Sequence, residues 1–64
     1  MIQPHQQRVI DEKAELDGRI AKLAAFVESP VFLSVRHDKQ ERLKGQLDVM
    51  RIYSEILAAR IRAF

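Results

Sequence analysis

Apolar residues recur along this chain in steps of three and four. Val9, Leu16 and Leu23 stand seven residues apart, and Ile20 and Val27 fill alternate positions between and beyond them. That spacing predicts one face of a helix and not the alternation of a strand. A second stripe runs through Leu43, Met50, Leu57 and Phe64, with Leu47 and Ile61 at the intermediate steps. Pro30 separates the two, because proline disfavours helical geometry in the residue before it. Pro4 suits a first helical turn, where its missing N–H costs little. The reading is helix 1 over about 5–28, a connection over 29–35 with room for one short turn, and helix 2 over about 36–63. Asp11 and Glu12 near the start of helix 1, and Lys22 later, suit the helix dipole. Asp38 with Glu41 three positions on has the spacing of a capping box, and Ser34 is the other candidate cap. Asp38/Arg42 and Arg51/Glu55 stand four apart, the spacing of helical ion pairs.

Folding the chain at Pro30 gives an all-α, antiparallel two-helix hairpin as a single domain over residues 1–64. Its stripes register as Leu23 with Leu43, Ile20 with Leu47, Leu16 with Met50, Val9 with Leu57, and Ile2 with Phe64. Helix 2 has apolar residues to spare: Val49, Ile52, Tyr53 and Ile56 lie on a second face. Helix 1 carries a row of small residues, Ala14, Gly18, Ala21 and Ala25, where another backbone can approach. Apolar surface left over in this way marks an interface. A chain of 64 residues without cysteine has no disulfide to compensate for a small core. Its two histidines, His5 and His37, are far apart and offer no metal site. Self-association remains, so the expected architecture is a homo-oligomeric helical bundle, a homodimer or homotetramer.

The seam is not apolar throughout. Gln6 and Lys13 occupy seam positions in helix 1 and Ser54 occupies one in helix 2. In the register above Lys13 falls opposite Ser54 with Tyr53 beside it, and Gln6 falls opposite Arg60 and Ile61. Net charge is only +2, but residues 15–50 are balanced, so the excess sits at the two chain ends with Arg8, Lys13, Arg51, Arg60 and Arg62. Polar interruptions and positive charge therefore meet at the open end of the hairpin. Two arrangements follow. In one, Lys13 is held in the seam with no carboxylate at its level and recruits a phosphate, with Arg8 and Arg60 as further donors. Tyr53 then stacks on a base and Gln6 reads a base edge. In the other, Lys13 reaches solvent and pairs with an exposed acid, Ser54 bonds its own helix, and Tyr53 is an interface aromatic. Spacing alone leaves both open.

Other classes find little support. No glycine-rich phosphate loop, HExxH or Ser/His/Asp set is present, and the neighbouring carboxylates fall on the solvated face, so no enzyme is expected. No apolar run is long enough for a membrane span, and MIQPHQQR does not have the make-up of a signal peptide. The basic footprint is modest, with a pI near 9.4 and no helix free of the packing stripe, so no nucleic acid polymer is expected as partner.

Two stretches carry a resemblance. HQQRVIDEKAELDGRIAKLAAF (His5–Phe26) and ERLKGQLDVMRIYSEILAARIRAF (Glu41–Phe64) resemble a widespread family of short phage and prophage proteins, often labelled as related to a crAss-like phage protein. The most specific pieces are QQRV with DEKxEL in the first and YSxILxxRI in the second. The divergent part, Ser29–Gln40, carries an unusual VFLSVRHD run. Similar proteins include suspected anti-CBASS sponges, which sequester the cyclic dinucleotide signal of host immunity. The resemblance implies a homo-oligomer in the host bacterial cytoplasm with pockets between chains for a ligand such as cyclic GMP-AMP, and no cofactor. Gln6, Arg8, Lys13, Tyr53, Ser54 and Arg60 are the ligand-binding residues it implies. The rival reading is a helical protein-binding module that inhibits a host defence protein through the second face of helix 2.

Overall fold

The computed structural model describes the whole chain, Met1–Phe64, as two long helices and a short connecting turn with no strand. Helix α1 spans Pro4–Val27, a 3₁₀ turn spans Pro30–Ser34, and helix α2 spans His37–Arg62. The helices lie antiparallel in a hairpin of 49 × 14 × 13 Å. Neither is long and apolar enough to cross a membrane.

Local chemistry sets the ends of α1. Pro4 takes the first helical position, and the Gln3 N–H ahead of it donates to Gln6 Oε1 at 2.8 Å, reciprocating the main-chain bond from Gln6 N–H to Gln3 O. At the far end Ser29 is extended, as a residue before proline prefers, and its hydroxyl donates to Phe26 O at 2.7 Å. The turn then folds Phe32 back under the end of the hairpin. Only 3% of Phe32 stays exposed, its ring meets Phe26 edge to face at 5.7 Å, and Lys44 Nζ lies 5.9 Å from its centroid.

The start of α2 corrects an expectation. Neither Asp38 nor Ser34 caps it: the N-cap is Arg36, with no side-chain cap bond. Ser34 donates to Val31 O at 2.6 Å inside the 3₁₀ turn, and Asp38, already within the first turn of α2, is held by Arg36 and Arg42. Gln40 Nε2 donates to Val35 O at 2.7 Å and fastens the turn to the helix instead. The ion pair expected between Arg51 and Glu55 is not formed, whereas Asp38–Arg42 is, at 3.2 Å.

The seam follows the heptad pattern. The sheltered positions of α1 are Gln6, Val9, Ile10, Lys13, Leu16, Asp17, Ile20, Leu23, Ala24 and Val27. Those of α2 are Gln40, Leu43, Leu47, Met50, Ser54, Leu57, Ala58 and Ile61. Val9, Leu16 and Leu57 form the buried centre, with Ile20, Met50 and Ile61 packed against it. The outermost pair expected from the sequence, Ile2 with Phe64, is not sheltered; Ile2 precedes the first turn of α1 and both residues stay exposed.

Candidate functional site

The polar interruption of the seam is a three-residue cluster. Lys13 Nζ donates to Asp17 Oδ2 at 2.6 Å, and Ser54 Oγ donates to Asp17 Oδ1 at 2.5 Å. Lys13 and Ser54 thus meet across the seam as their register requires, but through a carboxylate four residues along α1. This overturns the expectation that no acid stands at the level of Lys13. Its ammonium, 27% exposed on the side chain, is neutralised within its own helix, and the argument that it must recruit a phosphate falls with that. Ser54 bonds across to α1 and not to its own helix. Both donors hold the Asp17 carboxyl below the usual carboxylate range, the Lys13 bond contributing most and the Ser54 bond next.

Tyr53 lies on one flank of the seam. Its hydroxyl donates to a carboxylate oxygen of Glu12, so the ring spans from α2 to α1. That bond to an anion, with some desolvation, raises the Tyr53 pKa above the ordinary phenol range, while the nearby Arg60 charge opposes the rise. Arg8 stands one turn before Glu12 on α1, and Arg60 two turns after Tyr53 on α2. In an antiparallel pair both steps lead towards the open end, and both keep to the Glu12–Tyr53 side of the seam. Neither arginine forms an ion pair within the chain. Arg60 also sits in the last turn of α2, where it complements the negative end of the helix dipole.

The six residues singled out from the sequence therefore separate. Lys13 and Ser54 are bound into the Asp17 cluster. The side-chain carbonyl of Gln6 accepts from the Gln3 N–H, and its amide N–H groups have no partner within the chain. Arg8 and Arg60 are exposed and form no ion pair within the chain, and Tyr53, on the same side of the seam, is engaged with Glu12. Two participants, Asp17 and Glu12, escaped the sequence reading. Asp17 carried a usable signal, since it stands four residues after Lys13. Glu12 carried none, because only the register of the two helices places it beside Tyr53.

The hairpin forms no enclosed pocket of its own. Its second apolar face is bare: Val49 is 65%, Ile52 57% and Ile56 51% exposed, with Tyr53 at their edge.

Comparison with known proteins adds two findings. Residues 3–63 match the family described as Sequestin. The chain is also 40% identical over 60 residues to an uncharacterized 7.5 kDa protein of the denB-rIIB intergenic region of Enterobacteria phage T4, an alignment covering 94% of each chain. No solved structure matches.

Proposed function

This chain belongs to the Sequestin family of short phage proteins, and from that premise we propose that it is a counter-defence sponge, binding a phosphate-bearing nucleotide signal of host immunity without cleaving it. A cyclic dinucleotide such as cyclic GMP-AMP is the first candidate ligand. The observation that carries the reading is that Arg8 and Arg60 form no ion pair within the chain, while Arg60 lies near a tyrosine whose hydroxyl is tied to Glu12. Guanidinium groups bind phosphate through paired N–H donors, and the phenol face suits a base. The free amide of Gln6 is placed to assist. Lys13 and Ser54 are tied to Asp17 across the seam beneath the Tyr53 flank.

A single hairpin supplies one wall only, so the site is completed between chains of a homodimer or homotetramer. Sequestration works by mass action: the dissociation constant must lie well below the signal concentration that triggers defence, and the sponge must be abundant. No reaction is required of the protein. Its place of action is the cytoplasm of the infected host, where such signals are made.

Isothermal titration against cyclic di- and trinucleotides, with mononucleotides and pyrophosphate-linked dinucleotides alongside, tests this reading. Saturable heat with at least one member, recovery of that ligand unaltered after protein denaturation, and at least tenfold weaker binding by Arg60→Ala are the expected results. Silence across the panel would remove the sponge. The bare face of Val49, Ile52 and Ile56 favours a second reading, a helical inhibitor that docks on a host defence protein. Counter-defence activity in cells that survives Arg8→Ala and Arg60→Ala together would favour it.

A further inference from the structure

The flank of the seam on which Tyr53 meets Glu12 does not end there. At seven-residue steps it continues through Arg19 and Phe26 on α1 and back through Gln46 and Lys39 on α2, all of them exposed. The opposite flank is closed over by Ile10, Asp17, Ala24 and Ala58. Next outward from the open flank stand Arg8, Glu15 and Lys22 on α1, and Arg42, Val49 and Ile56 on α2. Charge is sorted along with exposure. This face holds six of the eleven lysines and arginines but only two of the nine acids, Glu12 and Glu15. The rest of the chain carries five cations against seven acids. A net charge of only +2 thus conceals a strongly basic side.

Its cations fall into two groups. Arg8 and Arg60 lie towards the open end, and Arg19, Lys22, Lys39 and Arg42 lie towards the closed end, around Phe26. Glu12 and Glu15 stand between the groups, so the face is not one continuous track for a polyanion. Phe26 is two heptads beyond Glu12, about 21 Å along α1 at the rise of a helix. Lys22 is one turn before Phe26. Lys39 comes opposite Phe26 in the register that sets Tyr53 opposite Glu12, and Arg42 is one turn further along α2. Arg19, Lys22 and Lys39 form no ion pair within the chain, and Arg42 shares Asp38 with Arg36. The Phe26 ring is a fixed surface: Phe32 meets it edge to face at 5.7 Å, and 36% of Phe26 remains exposed.

We propose that this closed end is a second anion station, separate from the flank of Arg8 and Arg60, and that it takes a nucleoside phosphate. Lys22, Lys39 and Arg42 receive the phosphate group, and Phe26 receives the base. Cations gathered around one point repel each other, and a doubly charged phosphate relieves that repulsion more fully than a singly charged carboxylate. A ring already held by Phe32 gives a base a stacking surface without further ordering. The station is built from one chain. It stands whether or not the open end binds a signal.

Chemical-shift titration of the isotope-labelled chain with pyrophosphate, and separately with adenosine diphosphate, locates the site residue by residue. Saturable shifts at the amides of Lys22, Phe26, Lys39 and Arg42 are expected with both, adenosine diphosphate binding at least about fivefold more tightly. Phe26→Leu, which keeps an apolar contact for Phe32, should erase that difference while pyrophosphate still binds. Lys22→Ala combined with Lys39→Ala should weaken both probes at least tenfold. Arg51→Ala combined with Arg62→Ala removes the same charge from outside this face and should leave both unchanged. Equal weakening by the two double variants would reduce the effect to net charge and overturn the station. Closed-end amides that never saturate would overturn it too, as would tighter binding of an acidic peptide than of pyrophosphate. Saturation at the closed end, with the amides of Arg8, Tyr53 and Arg60 unmoved, would support the station and count against the open-end flank alone.

Discussion

At the residue scale, Asp17 decides what Lys13 is. A heptad reading treats Lys13 as a charge stranded in an apolar seam. The structure treats it as one arm of a carboxylate that also accepts from Ser54 on the other helix. The Asp17 carboxyl, with its pKa lowered by those two donors, is a stability device with a definite pH window. A group whose folded pKa is depressed contributes stability that is complete above its unfolded pKa, near 4 for an aspartate, and lost as pH falls through the lower folded value. Circular dichroism should therefore show wild-type chain losing stability below about pH 4, and Asp17→Asn should show a flatter acid limb and lower stability at neutral pH. Equal acid limbs in the two proteins would mean the cluster contributes nothing. Tyr53, the single tyrosine, has the opposite sign. Its folded pKa is raised, so the Glu12 contact stabilises below about pH 10 and is lost as pH rises through the folded value. Tyrosinate absorbance should report a midpoint above the ordinary phenol range while helicity persists, and Glu12→Gln should lower that midpoint. A midpoint unmoved by Glu12→Gln would dissociate the two groups.

At the element scale, the parts legible in the sequence were those set by periodicity and proline. Seven-residue spacing of Val9, Leu16, Leu43 and Leu57 places them on the seam whatever the ends do, because a helix repeats nearly every seven residues. The seam assignments of Gln6, Lys13 and Ser54 follow from the same arithmetic, and all three are sheltered. Cap chemistry was less legible. Asp38 and Glu41 have the right spacing, but Arg36 and Arg42 compete for the Asp38 carboxylate, and ion pairing wins. The 3₁₀ turn was least legible, since its role depends on Phe32 swinging under Phe26 from six residues beyond. No spacing rule announces that movement. Phe32 is nonetheless the best-buried residue outside the helices. Phe32→Ala should cost about 3 kcal/mol, the low end for a buried phenylalanine because the neighbouring turn can collapse into the space. Urea unfolding checks this, and a loss below about 1 kcal/mol would show that the turn is an ornament and not a plug. Val31 and Leu33, facing outward in the same turn, should tolerate alanine.

At the scale of the whole molecule, the hairpin is under-buried for something that must persist. Five of 64 residues are buried, Leu57 alone completely, and none of the large apolar groups on the outer face of α2 is covered. Ordering each residue of a chain opposes folding by about 1–2 kcal/mol in backbone entropy, and one seam of two helices removes too little apolar surface from water to offset that comfortably. An isolated hairpin of this length would unfold at a temperature independent of how much protein is present. A chain that folds and associates in one step behaves differently, because assembly binds the folded state only and mass action adds to its stability. The thermal midpoint should therefore climb by several degrees for each tenfold rise in protein concentration, and Ile56→Asp should both lower it and flatten the dependence. A midpoint fixed across two decades of concentration would require the two helices to hold each other unaided. The nucleotide flank would then be a groove on a monomer, and the contribution of a second chain to the ligand site would have to be abandoned.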